Sequence, residues 1–425
     1  MAEFSATVFQ NEYLPDGGTD VNAIVTVSCA GAGTAGQTGA GAAGEIIIVD
    51  TSGSMGPMTM RAAKEAASAA LSEIVDGTWF AVIAGSHQAM LAYPNVSSGP
   101  GMVRMDASTR AAAQQAVSNF VGSGGTAIST WLDLAGRLFA SVPQVTQRHA
   151  ILLTDGENRE SDHMLTEAIQ RATGYFQCDC RGAGTDWQVG EVRRIAQALL
   201  GTVDIIPEPE EMEQQFRAMM QASMARGVAD AQLRVWTPQG AQVLFVRQVS
   251  PTVEDLTARR TEVNALTGAY PTGAWADESR DYHVAIRVAA RAIGQEQLAA
   301  RVQLAVDDQV VTQALVKATW SNNTDLTAGI DEQVAHYTGQ TELAAAIQEG
   351  LAAKASGDDA TATTKLGRAV QLAAATGNAE ATTKLRKVVD VVDEREGTVQ
   401  LKAAINKADE MALDTASTKT TRVKR

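Results

Sequence analysis

Three short oxygen-bearing side chains follow an apolar run near the start of the chain. Residues 46–49 read Ile-Ile-Ile-Val, and Asp50, Ser52 and Ser54 come directly after them, with Gly53 between the two serines. A β-branched run without polar alternation is typical of a parallel strand that is buried on both faces. Ligands of open parallel sheets sit beyond the carboxyl ends of such strands. Because oxygen-only ligands suit a hard cation, this stretch predicts a loop that binds Mg²⁺ or Mn²⁺.

The stretch resembles the metal-ion-dependent adhesion site of the von Willebrand factor A family, which reads Asp-x-Ser-x-Ser and continues with a distant Thr and a distant Asp. Thr126 stands in a glycine loop, Gly124-Gly125-Thr126, just before a helical stretch. Asp155 follows the apolar run 151–153, which has the character of a strand. All five positions of the family's pattern are therefore filled.

The resemblance implies a role for each of these residues. Ser52, Ser54 and Thr126 would bind the metal directly or nearly so, while Asp50 and Asp155 would act largely through its water ligands. Read from the residues alone, Asp50 and the two serines are also good caps for the helix that follows. Capping would not account for the other two elements of the pattern.

Composition and charge restrict the classes of function. The chain has 425 residues, a formal net charge of −14, 45% hydrophobic residues and three cysteines. That charge argues against a nucleic-acid partner, which needs a basic face. The three cysteines do not make a disulfide framework, and we identify no signal peptide and no membrane segment. We therefore expect a cytoplasmic protein without a membrane partner.

The pattern of strands and helices predicts six segments. Residues 45–227 alternate between strands and helices, which indicates an α/β fold with a doubly wound, mostly parallel sheet. Residues 228–320 alternate in the manner of a β-sandwich, and the strands of residues 1–29 should complete it, so that the α/β domain is an insertion. The other segments are a glycine-rich linker (30–44), a helical region (325–414) forming a small bundle, and a disordered basic tail (415–425).

Three smaller features carry alternatives. Gly31-x-Gly33-x-x-Gly36 formally matches a dinucleotide-binding loop, but no helix follows it, which favours a flexible linker. Cys178 and Cys180 are half of a zinc pattern, but no second pair accompanies them, which favours core packing. The helical region is predicted to contain helices over 328–355, 359–375, 379–393 and 398–413.

The C-terminal tail contains three threonines among basic residues, namely Thr418, Thr420 and Thr421. We interpret them as candidate phosphorylation sites for a Ser/Thr kinase, since a phosphate there would create a docking charge for a forkhead-associated (FHA) domain. The alternative is a solubilising or frayed end.

Taken together, the sequence predicts a non-enzymatic adaptor that docks an acidic residue of a partner protein on its metal. The resemblance extends to actinobacterial proteins found with FHA proteins, kinases and tellurium-resistance-type proteins, which implies a phospho-signalling or stress system. One alternative is a subunit that recruits an AAA+ ATPase of the MoxR or chelatase type. A further alternative is a metal-dependent hydrolase, although no histidine lies in the loop to activate Ser52 or Ser54.

Overall fold

The computed structural model describes residues 2–35, 42–95 and 101–423. Those residues divide into two compact units. The first comprises the described residues of Gly31–Asp230 and Gly273–Ala276, and the second those of Ala2–Ala30, Ala231–Thr272 and Asp277–Arg425. The first unit therefore interrupts the second along the sequence.

Three strands precede the first unit: β1 (Glu3–Gln10), β2 (Tyr13–Leu14) and β3 (Asp20–Ala30). Strand β1 pairs antiparallel with β3 over the whole length of β1, from Glu3 opposite Ala30 to Gln10 opposite Ala23. Gly17, in the connection between β2 and β3, has a φ of 73°, a conformation that a residue without a Cβ adopts at little cost.

The first unit is an α/β domain with helices that cross between parallel strands. Its strands are β4 (Ala42–Asp50), β5 (Trp79–Gly85), β6 (Met90–Tyr93), β7 (Val103–Arg104), β8 (Val145–Thr154), β9 (Gln177–Ala183) and β10 (Val203–Ile206). Its helices are α1 (Pro57–Glu73), α2 (Ala107–Ser118), α3 (Ile128–Ala140), α4 (Asp162–Ala172), α5 (Val189–Ala198) and α6 (Met212–Met224). The sheet has the order β10-β9-β8-β4-β5-β6, with β7 paired to β5. Only β6 and β7 run antiparallel to β5.

The sheet of this unit is covered on both faces, because successive residues of β4 point to opposite faces and residues 46–49 are all buried. The apolar run of β4 is fully buried, with Ile47 and Val49 packed in one cluster with α1 and α6. Helix α1 presents alanines to that cluster, and such small side chains let a helix lie close to the sheet. On strand β9, Cys178 and Cys180 are buried free thiols with their Sγ atoms 3.8 Å apart.

The second unit is a β-sandwich followed by helices. Its further strands are β11 (Val228–Trp236), β12 (Gln242–Ser250), β13 (Glu254–Asp255), β14 (Thr261–Asn264), β15 (Thr267–Trp275), β16 (Ser279–Arg287), β17 (Glu296–Val306) and β18 (Gln309–Trp320). One sheet has the order β1-β3-β16-β12-β13 and the other β14-β15-β11-β17-β18-β2. Strand β3 pairs with β16, with Val25 opposite Tyr282, so the N-terminal strands lie within the sandwich. The predicted fold class, a doubly wound sheet inserted in a β-sandwich with C-terminal helices, is confirmed.

The C-terminal part of the second unit is mainly helical. It contains α7 (Thr324–Thr327), α8 (Glu332–Ala355), α9 (Asp359–Ala375), α10 (Ala379–Val388) and α11 (Lys407–Ala416), with the hairpin strands β19 (Val389–Asp393) and β20 (Thr398–Leu401) between the last two helices. Within the described ranges, no helix has the length and hydropathy needed to cross a membrane.

The hairpin corrects two predicted helices. Helix α10 ends at Val388 rather than 393, and residues 398–401 form a strand rather than the start of a helix. The β-branched residues Val389, Val391 and Val392 favour a strand over a helix. Gly397, with a φ of 67°, allows the turn that pairs the two strands.

The predicted glycine-rich linker of residues 30–44 is shorter than expected. Strand β4 begins at Ala42, and residues 36–41 lie outside the described part of the chain. Ala32 and Ala35 are buried, and the backbone N–H of Ala35 donates to the carbonyl of Met224 at 2.8 Å. Residues 31–35 are therefore packed against the α/β unit and do not form a free tether.

The predicted disordered tail of residues 415–425 is also wrong for the residues described. Thr415 and Ala416 end helix α11, and residues 417–423 continue along the sandwich. The hydroxyl of Thr420 donates to the carbonyl of Val249 at 2.7 Å, and the side chain of Gln340 donates to the hydroxyl of Thr421 at 2.9 Å. These partners lie far away in sequence, so the local composition of the tail gives no indication of them.

Candidate metal centre

The loop after β4 is fixed as soon as the strand ends. The backbone N–H of Thr51 donates to the carbonyl of Gly85 at 2.6 Å, and the Thr51 hydroxyl donates to the same oxygen at 3.1 Å. There is no room for a side chain at Gly85, because a Cβ there would stand 2.5 Å from the ring of Trp131. The ends of β4 and β5 are thereby held together beneath the loop.

Hydrogen bonds also join this loop to two others. The N–H of Gly53 donates to the carbonyl of Gly124 at 2.8 Å, and the N–H of Arg159 donates to the carbonyl of Thr126 at 2.8 Å. Gly124 has a φ of 79°, which a larger residue would adopt only with strain. The loops that follow β4 and β8 therefore both contact the loop that carries Thr126.

The loop after β8 caps the helix that follows Thr126. The backbone N–H of Ile128 donates to Asn158 Oδ1 at 3.2 Å, and that of Ser129 donates to Glu160 Oε1 at 2.7 Å. These are N–H groups of the first turn of α3, which have no partner within the helix. The caps fix the position of Thr126 relative to Asp155.

A chain of short hydrogen bonds connects the predicted ligands. The N–H of Ser52 donates to Asp50 Oδ1 at 2.7 Å. Ser54 Oγ donates to Asp155 Oδ1 at 2.7 Å and lies 2.8 Å from Ser52 Oγ. Since the proton of Ser54 is directed to Asp155, Ser52 is the donor between the two serines. The hydroxyls and the Asp155 carboxylate thus lie side by side.

The absence of a side chain at Gly156 leaves room for the Ser54 hydroxyl. A Cβ at this position would stand 2.7 Å from Ser54 Oγ and 3.4 Å from Thr126 Oγ1. The Thr126 hydroxyl therefore faces the same space as that of Ser54, although no direct hydrogen bond joins them. The structure brings all five predicted residues to the carboxyl edge of the sheet, where Asp50, Ser52, Thr126 and Asp155 are buried and Ser54 is exposed.

The electrostatics of the carboxylates reflect this burial. Burial raises the pKa of Asp50 above its ordinary value, against the hydrogen bonds from Ser52 and Thr154. Burial also raises the pKa of Asp155 to about 6, assisted by the charges of Asp50 and Asp186. Two ionised carboxylates at this edge would be stabilised by a nearby cation.

Two contributors to the site were not predicted from the sequence. Thr154 Oγ1 donates to Asp50 Oδ2 at 2.7 Å, and Asp186 is near enough to raise the pKa of Asp155. Thr154 directly precedes Asp155, so its place at the end of β8 was a usable signal. The three candidate phosphorylation sites, Thr418, Thr420 and Thr421, belong to the other unit.

The donor set fits a hard divalent cation. Three hydroxyls and two carboxylates lie at the carboxyl edge of the sheet, joined in part by hydrogen bonds, and Mg²⁺ and Mn²⁺ prefer such oxygen ligands. Within residues 2–35, 42–95 and 101–423, no group of three or more His, Cys, Asp or Glu side chains is placed to hold a metal ion. Binding at this edge would therefore depend on the hydroxyls.

Comparison with known proteins identifies the family of the chain. Residues 45–205 match the model of the von Willebrand factor type A domain, and residues 371–417 match that of the von Willebrand factor type A C-terminal domain. A solved von Willebrand factor type A protein from Catenulispora acidiphila is 45% identical, with a TM-score of 0.93, over 99% of this chain and 97% of that one. The chain belongs to the von Willebrand factor type A family. Proteins with von Willebrand domains generally mediate protein–protein interaction.

Two further relatives are more distant. The ArnB paralog VWA2 from Sulfolobus acidocaldarius shares the fold, with a TM-score of 0.59 and 15% identity over 98% of each chain. An uncharacterised protein of Synechocystis is 27% identical over 218 residues, which are 50% of this chain and 50% of that protein. The chain thus spans about half the length of the curated relative it matches.

Proposed function

We propose that the von Willebrand domain binds one divalent cation, Mg²⁺ or Mn²⁺, and uses it to dock a carboxylate of a partner protein. The observation that carries the proposal is the hydrogen-bonded row of Ser52, Ser54 and Asp155 beside the space at Gly156. Ser52, Ser54 and Thr126 are the proposed direct ligands. Asp50 and Asp155 are proposed to act largely through metal-bound waters.

The chain's own residues prepare the site for this role. Asp50 is held by the Ser52 N–H and the Thr154 hydroxyl, so its orientation is fixed before a ligand arrives. A bound cation would offer an open coordination position to an acidic side chain of the partner. Because a site of hydroxyls and water-bridged carboxylates has few charged ligands, we expect weak affinity for the metal alone.

Titration calorimetry with Mn²⁺ and Mg²⁺ tests the first half of the proposal. Wild-type protein should bind one ion, and Asp50→Ala or Asp155→Ala should abolish the heat of binding while leaving the circular dichroism spectrum unchanged. Asp162→Ala, which removes an exposed carboxylate at the start of α4, is the matched control and should bind normally. Undiminished binding by Asp50→Ala would place the metal elsewhere.

Affinity capture tests the second half. Wild-type protein and a Ser52→Ala, Ser54→Ala double variant should be compared with Mg²⁺ and with chelator. A partner retained only by wild-type protein with Mg²⁺ supports metal-dependent docking. A partner retained equally in all four conditions contradicts it, and retention of an AAA+ ATPase would favour the recruiting role.

We propose an adaptor and not an enzyme. The Ser52 and Ser54 hydroxyls are hydrogen bonded to each other and to Asp155, an arrangement suited to metal coordination. The carboxylate of Asp155 is the base in contact with Ser54, and we propose that it serves the metal and its waters instead of activating the hydroxyl as a nucleophile. Hydrolysis of ester or phosphoester substrates that Asp50→Ala abolishes would contradict the adaptor role.

For the cellular setting we propose a cytoplasmic phospho-signalling or stress system with FHA and kinase partners. The support is the resemblance of the chain to actinobacterial relatives, together with the three buried free thiols, which suit a reducing compartment. The hydroxyls of Thr420 and Thr421 are hydrogen bonded to the sandwich and to α8. Phosphorylation of either would therefore require residues 417–423 to leave this surface.

A further inference from the structure

Four large apolar side chains of the von Willebrand unit are exposed, and they lie in a loop, at the start of a strand or in first helical turns around the candidate metal centre. Met58, Met90, Val121 and Met164 have exposed fractions of 73%, 62%, 74% and 50%. Among the residues that the structure describes in this unit, no other large apolar side chain is exposed. Single exposed apolar residues are ordinary on protein surfaces, and what distinguishes these four is that all of them lie at the carboxyl edge of the sheet.

Two of the four adjoin the metal loop itself. Met58 lies in the first turn of α1, four residues after Ser54. Val121 precedes Gly122, where a Cβ would stand 3.0 Å from the carbonyl oxygens of both Ser52 and Met55. The chain around Val121 therefore runs directly against the loop that carries the two serines.

The other two adjoin the remaining loops of the site. Met90 begins β6, and the preceding N–H of Ala89 donates to Thr130 Oγ1 at 3.0 Å, in the first turn of the helix after Thr126. Met164 lies in the first turn of α4, which follows the loop that caps α3. We refer to Met58, Met90, Val121 and Met164 as the apolar rim.

A cationic side chain, that of Arg159, lies beside the apolar rim. Arg159 is 72% exposed, and its Cγ lies 3.9 Å from where a Cβ of Gly125 would stand, next to Thr126. Its ion pair with Glu157 is long, at 3.7 Å, and such exposed pairs are weak. Arg159 is therefore available to an acidic partner. Three of the four apolar side chains are methionines, which are flexible and adapt to the shape of a bound surface.

We propose that the apolar rim docks a partner segment in which the metal-binding Asp or Glu is flanked by apolar side chains. This inference rests on the proposed function of the metal centre. One carboxylate on a metal discriminates poorly between acidic proteins, so specificity must come from the surrounding contacts. The rim supplies them as apolar area around a polar centre, which is the layout of a small ligand site.

Selection from a displayed peptide library tests the proposal. Each peptide carries a central Asp and randomised flanking positions, and full-length protein is used as bait with 10 mM Mg²⁺ or with chelator. With Mg²⁺, apolar residues should be enriched at least threefold over Ser and Gly at the flanking positions. A Met58→Ser, Met90→Ser, Met164→Ser triple variant should lose that enrichment and keep calorimetric Mn²⁺ binding.

A matched control removes exposed apolar residues elsewhere. Val263→Ser, Ile330→Ser and Val392→Ser change side chains of comparable exposure in the other unit, and that variant should keep the preference for apolar flanks. Magnesium-dependent selection of Asp peptides without a flank preference would overturn the rim proposal and leave the proposed function intact. Absence of any magnesium-dependent selection, with no Mn²⁺ heat, would overturn both.

A membrane surface is the competing occupant, since exposed methionines beside an arginine also suit anionic lipid. Flotation with vesicles of phosphatidylglycerol and phosphatidylethanolamine separates the two. We expect the same fraction of protein to float with the vesicles for wild type and for the triple serine variant. Vesicle binding that the triple variant abolishes, without a flank preference in the peptide selection, would assign the rim to lipid and overturn the proposal.

Discussion

Strands β4 and β8 each contribute to two buried charge clusters, one inside the sheet and one at its carboxyl edge. In the interior, His149 of β8 lies between two carboxylates, with Nδ1 2.7 Å from Glu45 of β4 and Nε2 2.9 Å from Asp179 of β9. At the edge, Asp50 and Asp155 have hydroxyl and amide partners. Among the described residues, no cationic side chain forms an ion pair with either of them.

The pKa of Asp179 in the interior and the pKa of the carboxylates at the edge move in opposite directions. Burial alone would lower the pKa of His149, but the charges of Glu45 and Asp179 outweigh it and raise that pKa to about 9. Burial alone would raise the pKa of Asp179, but the hydrogen bond from His149 and the charge of Arg226 hold it well below its usual range. At the edge, burial raises the pKa of Asp155 to about 6.

The opposite pKa shifts of the interior and edge carboxylates show which negative charges are neutralised by the protein's own side chains. The interior cluster has its own cation and is further bonded to Ser223 and Thr202, at 2.7 Å each, so it acts as part of the framework. Among the described residues the edge cluster has no cationic side chain of its own, and the proposed metal would supply the positive charge. The four predictions below test this contrast, from the largest expected effect to the smallest.

Removal of the interior cation should have the largest effect. His149→Ala would leave the buried Glu45 without a positive partner and Asp179 with Arg226 alone, whose Nη2 lies 3.5 Å from Oδ2. Breaking a buried ion pair in this way costs about 3–5 kcal/mol of unfolding free energy. Hydrogen exchange of the amides of β4 and β8 in the full chain measures the loss. His163→Ala, an exposed histidine of α4 in the same unit, is the control and should cost under about 0.5 kcal/mol. Equal protection in both variants would show that His149 is not the stabilising cation.

The same cluster should make the stability of the von Willebrand unit fall at high pH. A histidine whose pKa is about 9 when folded and 6.5 when unfolded holds its proton more tightly in the folded state. The contribution of His149 to the free energy of unfolding is therefore complete below about pH 6.5, declines as the pH rises, and is absent above about pH 9. The loss across this window is on the order of 3 kcal/mol. Hydrogen exchange corrected for intrinsic rates at pH 6.5, 8 and 9 measures it, and a flat profile would contradict a charged His149.

Metal addition should stabilise the edge cluster by a smaller amount. At ten times the dissociation constant, a ligand that binds only the folded state adds about 1.4 kcal/mol. Calorimetric scans with and without Mg²⁺ should show an upward shift of a few degrees in one transition. The Ser52→Ala, Ser54→Ala variant should show no shift, whereas His163→Ala should shift like wild type. A shift that survives in the serine variant would mean that the stabilising ion binds elsewhere.

The edge cluster was largely predictable from sequence, whereas the interior cluster was not. Asp50, Ser52 and Ser54 are adjacent in the chain and follow a strand with an unmistakable composition, so local spacing indicates their chemistry. His149 gives no such signal, because its partner Glu45 is 104 residues away. In the sequence, an isolated histidine on a strand has no feature that distinguishes it from a surface or packed residue.

For residues 415–423 the sequence does give a signal, but the local composition predicts the wrong structure. Basic residues and threonines without apolar periodicity predict disorder. Yet Thr420 contacts Val249, 171 residues earlier, and Arg422 contacts Asp281. Such partners become visible only when the sandwich and α8 are in place. Pairing across long sequence separation is therefore the information that single-sequence reasoning lacked in both regions.

Asp281 extends the comparison to a buried carboxylate whose cation is partly exposed. Thr26 Oγ1 donates to Asp281 Oδ1 at 2.6 Å, the Tyr337 hydroxyl donates to Oδ2, and Arg422 Nε lies 3.2 Å from Oδ2. The Arg422 side chain is 44% exposed, in contrast to 1% for His149. Solvent screens such a pair, and the two hydroxyl donors remain when the arginine is removed.

Arg422→Ala should therefore cost only about 1 kcal/mol, the smallest effect of the four. Arg422→Lys keeps the charge and should recover part of the loss, because a lysine reaches the carboxylate as a point charge without the planar donor group. Urea unfolding of the full chain, followed by hydrogen exchange of the amides of β16 and α8, measures both variants. A loss as large as that of His149→Ala would show that an exposed cation can neutralise a buried carboxylate as well as a buried cation does. In that case burial would not explain the difference between the two clusters of the parallel sheet, and the hydrogen bonds around each carboxylate would have to explain it.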